Sequence, residues 1–517
     1  MIVLAVVTAV IAVIIVTILV SLKFSFTYWS KRNVFTLPPV LPFGNGKDRF
    51  LGKTGIIQEM AKYYQVLRSK RLRYGGYHMF LQNLFVPADL DLIRNIMVSD
   101  FHHFTDRVIF VDEKVDPLSA HLFALKGSKW RALRTKLTPL FTSGKLKLMF
   151  QAMVGCTENI PIVLDEFVSN GESIEIKEIF ARYTTDIIAS VGFGIESNCL
   201  KNPNSEFRKY GKRIFEIDMP ARIRLLGRIT FPKLIKWLKI PFAKPDVQKF
   251  FIGLVKETIE FRDRTHTERN DFMQLLMKLR NEQLKVESSV NGSNSGSNNI
   301  AFYQNGLSVE DIAAQAFVFF IAGFETSSTT LNFFMYELAI NPEIQDKLRN
   351  EIKQVLAKHN GQITYEAVQE MTYLDQCVYE TLRKYPPVAV LTRECTKTYK
   401  VPDSDLTIEK GTRVMISPFG IQHDPEIYPD PEKFDPNRFS DENKRKRHPM
   451  SFLSFGEGPR ICIGLRMGLL QTKVGLIAML KDYKFTLDPK TRTPLEYEIY
   501  LSILSPKGGI WLNASRI

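Results

Sequence analysis

Cys462 lies in Phe455-Gly456-Glu457-Gly458-Pro459-Arg460-Ile461-Cys462-Ile463-Gly464, directly ahead of a long apolar helical pattern. Glycines at 456, 458 and 464 permit tight turns, and Arg460 places a cation nearby. The loop runs into a helix predicted from about Ile463 to Leu480, whose N-terminal amides and positive dipole end favour a thiolate over a thiol. A thiolate so placed is a metal ligand; the structural alternative is a small buried cysteine ahead of a helix. Cys156, Cys199, Cys377 and Cys395 are far apart and show no Cys-x-x-Cys spacing. The odd total argues against a disulfide framework and for a reducing compartment.

A second group sits in an apolar helical run. Ser308, with Asp311 three positions on, opens a helix predicted from about Val309 to Ile340, which Pro342 stops. Its middle, Phe317 to Phe324, is apolar on every side, as in a buried central helix. Glu325 and Thr326 follow at once. An acid and an alcohol there cost free energy unless paired, and Thr326 can bond back to the Ala322 carbonyl. Trp130 and Arg134 stand one helical turn apart, an indole N–H and a guanidinium suited either to a carboxylate or to plain surface packing. Glu380 and Arg383 share one face of a helix predicted over residues 371–385; alone, such a pair is a modest surface ion pair.

The elements that must position these groups follow from the rest of the chain. At 517 residues with 45% hydrophobic content the chain can bury a sizeable core, and a formal charge of +14 implies an acidic partner, an anionic membrane surface or nucleic acid. Residues 1–22 carry no charged side chain and are long enough as a helix to span a bilayer. No basic region precedes them, so they read as an uncleaved signal anchor. Lys23, Lys31 and Arg32 follow the span, which places the remaining chain in the cytosol by the positive-inside rule. Residues 23–46 read as a basic flank and a stiff proline-rich hinge, Leu37-Pro38-Pro39-Val40-Leu41-Pro42-Phe43-Gly44. Residues 47–517 form the catalytic domain.

No phosphate-binding loop or Gly-x-Gly-x-x-Gly turn after a strand is present, so no dinucleotide domain is built in. Between Ala221 and Lys244, basic residues interleave with apolar ones and no acid intervenes, as at a membrane surface. Nucleic acid is not expected, because no nucleic-acid-binding module accompanies the patch. Residues 287–299 read as a Ser/Asn/Gly-rich loop, and Lys444-Arg445-Lys446-Arg447 as a solvated one.

Phe455, the Gly458-x-Arg460-x-Cys462-x-Gly464 spacing and the helix start together resemble the haem-binding signature of the cytochrome P-450 superfamily, the haem-thiolate monooxygenases. In these proteins the axial thiolate pushes electron density towards the iron. Ala322-Gly323-Phe324-Glu325-Thr326 resembles the family's oxygen-side motif. The resemblance implies that the small residues leave room for oxygen and substrate, while Glu325 and Thr326 help to deliver protons. Trp130-x-x-x-Arg134 resembles the motif that binds a haem propionate; Arg393 and Arg460 match further haem-binding positions. Glu380-x-x-Arg383 and Pro436-Asn437-Arg438-Phe439 resemble the two parts of a structural network, with Arg438 as third partner.

The motifs occur in the family's order from residue 130 to 464. Asp116-Pro117-Leu118-Ser119 and Phe141-Thr142-Ser143-Gly144-Lys145 further resemble the insect detoxification branch of the microsomal class. The implied fold is mainly α, a large helical haem domain with a small β-rich portion after the transmembrane helix. The implied cofactor is heme b on Cys462, with O2 as co-substrate and NADPH electrons arriving through a separate NADPH-cytochrome reductase, with cytochrome b5 as a further candidate partner. The basic region carrying Lys126, Lys129, Arg131, Lys136, Lys145 and Lys147 is the candidate docking face for an acidic redox partner.

The implied substrates are lipophilic compounds such as plant toxins or insecticides, and the implied location is the endoplasmic reticulum membrane. Pocket candidates on the same resemblance are Phe110, Phe123, Val318, Ile321, Ala322, Val388, Ala389, Leu391 and Ile503. A hormone-metabolising or biosynthetic monooxygenase shares every motif. A haem-binding sensor or electron carrier is the alternative of a different class.

Overall fold

The N-terminal residues form helix α1, Ile2–Ser25, uncharged up to Lys23 in its last turn, almost wholly exposed and long and apolar enough to cross a membrane. The computed structural model describes residues 1–216, 224, 227, 232–241, 243–289, 306–500 and 503–517. The chain after α1 turns directly into the body of the protein. Leu22 is buried, and Ser25 donates to Asn83 Oδ1 at 3.3 Å. Trp29 is 1% exposed and Val34 5%. The indole packs so closely on Gly76 that a Cβ there would lie 2.2 Å from it.

The proline segment is pinned rather than free. Val40 and Gly44 exchange backbone hydrogen bonds of 2.8 Å, and Asn45 donates to the His78 carbonyl at 2.8 Å. The flank and hinge drawn at residues 23–46 therefore contribute to the core of the catalytic domain. Burying a large aromatic side chain this completely predicts that Trp29→Ala lowers stability by roughly 3–5 kcal/mol. Deletion of residues 1–22 is expected to cost far less, as compared by thermal denaturation of the detergent-solubilised proteins.

Strands β1 (Tyr74–Met79) and β2 (Gln82–Pro87) form an antiparallel hairpin, Tyr74 opposite Pro87. Helices α2 (Gly127–Leu137) and α3 (Ile176–Ile187) precede the long central helix α4, Val309–Ile340. Ser308 and Asp311 cap α4 reciprocally, each side chain accepting from the other's backbone N–H at 3.0 Å, and Pro342 opens the next helix. In the apolar middle of α4, Phe317, Phe320 and Phe324 are buried and the residues between them are partly open, and the helix packs against α3, Pro245–Thr265, α5 (Thr372–Lys384) and α6 (Leu465–Leu480).

Strands β3 (Leu391–Glu394) and β4 (Arg413–Ile416) complete a four-stranded sheet in the order β1-β2-β4-β3, with β2 and β4 parallel. A three-stranded sheet of Ile174–Glu175, Tyr483–Leu487 and Trp511–Arg516 lies elsewhere, with the last strand in the middle. The architecture is the mainly helical one expected.

Ten residues of the basic and apolar segment 221–244 lie outside the described residues; among those described, Leu234, Trp237 and Leu238 are exposed, while Ile235, Ala243 and Lys244 are buried. Most of the predicted loop 287–299 is also outside them, and its start belongs to the helix Phe272–Ser289.

Candidate functional site

Tight backbone turns hold the cysteine loop. Gly458 adopts φ +71°, and a Cβ there would lie 2.0 Å from the Met97 carbonyl oxygen, so the loop can approach residues 95–99 only with glycine. The Cys462 amide donates to the Phe455 carbonyl at 2.9 Å, and Phe455 packs against the main core. Gly464 has an ordinary φ of −90°, and its contribution is the amide, which hydrogen-bonds to the Cys462 sulfur.

Cys462 is exposed as a residue although protein surrounds its sulfur. Burial pushes its thiol up; the Gly464 amide and the Arg107 and Arg134 guanidiniums oppose this. Sequence reasoning expected Arg460 to be the cation beside the sulfur and the loop to favour a thiolate. The structure corrects the placement of Arg460. Arg460 turns away from the sulfur, stacking 3.8 Å over Trp130 and donating to the carbonyls of Thr105, Leu122 and Leu125.

Arg107, Arg134, Arg393 and Arg460 converge here. Burial lowers all four; their mutual repulsion adds to this for Arg107 and Arg460, and Arg460 is pushed down to about 9, with Asp106 opposing at 3.6 Å. Arg107 donates to the Arg460 carbonyl at 2.9 Å and the Phe123 carbonyl at 3.1 Å, and Arg134 to the Ile461 carbonyl at 3.0 Å. Arg393, 2% exposed on β3, is pushed down to about 10, and its Nε has no hydrogen-bond partner in the protein.

Buried guanidiniums with so little counter-charge are costly unless anionic groups join them. Among the described residues, no group of three or more His, Cys, Asp or Glu could hold an ion by itself, so a metal on Cys462 must bring its other ligands. The donor set fits a porphyrin that offers an iron to the sulfur and two carboxylates to the arginines.

On α4, Ala322 is exposed, flanked by the partly buried Val318, Ile321, Gly323 and Thr326. Thr326 donates to the Ala322 carbonyl at 2.6 Å, as predicted. Glu325 is 8% exposed and pairs with Lys177 at 2.7 Å. Gly323 differs from expectation, since a Cβ there would lie 2.4 Å from Ile188 Cδ1. Its missing side chain admits Ile188 and does not itself enlarge a cavity. Gln315, also on α4, donates to the Ala120 carbonyl at 3.1 Å and accepts from the Leu122 amide at 2.9 Å. Leu122 in turn receives Arg460, which connects the two halves of the site.

A family model described as Cytochrome P450 matches residues 29–513. The chain belongs to the cytochrome P450 family. It is 43% identical over 494 residues to "Probable cytochrome P450 6a13" of Drosophila melanogaster, covering 95% of each chain. It is 42% identical over 493 residues to "Probable cytochrome P450 6a23" of the same species, again covering 95% of each. It is 38% identical over 494 residues to "Cytochrome P450 6k1" of Blattella germanica, covering 94% of this chain and 93% of that one. As a cytochrome P450 it is a monooxygenase that binds haem through a cysteine thiolate and uses O2 with electrons derived from NADPH, which requires a redox partner.

The remaining motifs of this P450 come together behind the cysteine loop. Glu380 accepts from Arg383 at 2.9 and 2.8 Å, and Arg438 Nε lies 3.5 Å from the same carboxylate. Burial pushes the Glu380 carboxyl up, with both guanidiniums opposing. The basic run 444–447 is only partly solvated, because Lys444 lies 4.6 Å over the Tyr379 ring and Arg447 5.0 Å over Tyr428.

Of the pocket candidates, Phe123 is exposed and Phe110, Val318, Ile321, Val388, Leu391 and Ile503 are partly so. Ala389 is fully buried in the core and offers no surface to a cavity. Sequence reasoning missed Arg107, which sits in a loop without periodicity. The adjoining Thr105-Asp106-Arg107, an acid beside a base, was the available signal. It also missed His121, which burial and Arg107 push down to about 4.

Proposed function

We propose that this P450 oxidises lipophilic xenobiotics, such as plant toxins or insecticides, at a haem held by the Cys462 thiolate. Its electrons come from NADPH through a separate NADPH-cytochrome reductase, with cytochrome b5 as a second donor. The convergence of Arg107, Arg134, Arg393 and Arg460 beside the cysteine loop, with Asp106 the one carboxylate ion-paired to them among the described residues, carries the reading. When bound, the haem supplies the oxygen activation of the family. The chain's own residues do the rest.

The four guanidiniums and Trp130 orient the cofactor by its carboxylates, and the Gly464 amide stabilises charge on the sulfur. Glu325 and Thr326 handle protons on the opposite side, with Ala322 giving access. Val318, Ile321 and Phe123 supply apolar surface for a lipophilic substrate, as such pockets require. The enzyme is placed in the endoplasmic reticulum membrane with its domain on the cytosolic side, where Lys23, Lys31 and Arg32 lie.

On the proposed docking face, Lys126, Lys129 and Lys147 pair with Glu394, Glu113 and Glu366. Arg131 and Lys145 are exposed on the same face. The test is turnover of a mixed panel of xenobiotics and endogenous lipids in membranes reconstituted with reductase. The expected result is product from xenobiotics, carrying one atom of labelled O2 and absent when reductase is omitted. Turnover confined to one endogenous lipid overturns the detoxification assignment.

A further inference from the structure

The oxygen-side acid has a partner that no motif announces. Glu325 is almost buried in α4, where an unpaired carboxylate is costly, and Lys177 Nζ meets its Oε1 at 2.7 Å. The lysine side chain keeps 22% exposure against 10% for the glutamate, so the pair leads from solvent to the helix interior. We propose that Lys177 is the positioning residue of Glu325, fixing the carboxylate at the entrance of the route by which solvent protons reach Thr326. This rests on the reading of Glu325 and Thr326 as the proton-handling pair.

Three successive residues of α4 engage α3 and the residue that follows it. Ile188 fills the notch left by Gly323, and Thr184 Oγ1 donates to the Phe324 carbonyl at 3.2 Å. Glu325 then meets Lys177. The first two contacts set the register of the helices, so the lysine arrives at the acid with little freedom left to lose. Of the neighbouring acids, Glu178 is engaged by Arg182, Arg208 and Lys212, and Glu175 feels the Lys177 charge but caps α3 by accepting from the Glu178 amide at 3.0 Å, so the ion pair of the lysine is with Glu325. Only a proton moves: the Glu325 carboxylate takes one from water at the Lys177 end, gives one up on the Thr326 side and is a carboxylate again, and no electron or heavy-atom bond changes.

The test compares Lys177→Met, Lys177→Gln, Lys177→Arg and Glu325→Gln in the reconstituted holoenzyme, measuring product and hydrogen peroxide per NADPH and the solvent isotope effect. Met and Gln are expected to lower coupling on the order of tenfold, less than the 10²–10⁴ of a lost proton-transfer group, with substrate KM unchanged. Arg restores coupling to within about twofold of the parent, because it retains the charge and the hydrogen-bond donors.

Lys177→Met/Glu325→Gln should be no worse than Glu325→Gln alone, since residues acting as a unit are not additive. A thermal-denaturation cycle on the substrate-free protein should show the same non-additivity without reference to turnover. Wild-type coupling in both Met and Gln variants, with Glu325→Gln uncoupled, overturns the role of Lys177. Unchanged coupling in Glu325→Gln instead overturns the acid–alcohol reading, and this inference with it. Loss of bound haem in Met, Gln and Arg variants alike overturns it in favour of a purely structural role.

Discussion

Cys462→Ala is expected to eliminate both the thiolate-type carbon monoxide difference spectrum and all NADPH-dependent turnover, while the polypeptide still folds. The reason is that no other thiol can replace it. Cys199, Cys377 and Cys395 are buried, and burial drives the thiols of Cys156, Cys199 and Cys395 up to about 12, 11 and 11 and that of Cys377 well above its usual range. Cys462 alone is exposed, and it alone has the Gly464 amide and two guanidiniums drawing its thiol down. Removing an accessible thiol leaves no packed cavity behind, so the apoprotein should lose no more than about 1 kcal/mol. Circular dichroism and the denaturation midpoint of the haem-free protein separate loss of ligand from loss of fold. Retention of both spectrum and turnover in the variant removes Cys462 from the mechanism.

The parts of this site that could be read in the sequence are those whose partners lie within one helical turn or one short loop. Ser308 and Asp311 cap a helix because they stand three residues apart; Thr326 reaches the Ala322 carbonyl because i and i−4 share a face. Glu380 and Arg383 were visible as a pair for the same reason, but their complete burial was not. The parts that escaped depend on tertiary contact. Lys177 and Glu325 are separated by 148 positions, and neither carries a local pattern that selects the other.

Arg460 was assigned to the sulfur from its distance along the chain, whereas the Trp130 ring and three carbonyls from residues 105–125 claim its guanidinium. Gly323 shows the same limit, because a missing side chain indicates that something is close without saying what. Trp29 falls in the stretch read as a basic flank and hinge; only the sheet that receives it shows it to be core.

The second large effect is expected from Glu380 and Arg383, which are fully buried and whose contacts lead to the cysteine loop. Glu380 also accepts from the Asp435 amide at 3.0 Å, and Arg383 donates to the Gln422 carbonyl at 3.1 Å. Gln422 returns a bond of 2.8 Å to the Arg383 carbonyl and accepts from the Leu453 amide at 2.8 Å and the Ser454 hydroxyl at 3.1 Å. Those two residues open the segment that ends in Cys462.

Breaking such a pair leaves one charge buried without its partner, so Glu380→Ala and Arg383→Ala should each cost roughly 3–5 kcal/mol. Almost no haem should be retained, as read from the ratio of haem absorbance to protein. Arg383→Lys is not a rescue, since an ammonium cannot make the bidentate contact or reach the Gln422 carbonyl at the same time. Arg438→Ala should be milder, because its Nε lies 3.5 Å from the carboxylate and its side chain is 11% exposed. The double variant Glu380→Leu/Arg383→Met removes both charges together and is expected to be more stable than either alanine variant. If it also recovers haem, the network serves stability alone; if it is stable but holds no haem, the hydrogen bonds through Gln422 are what place the cysteine loop.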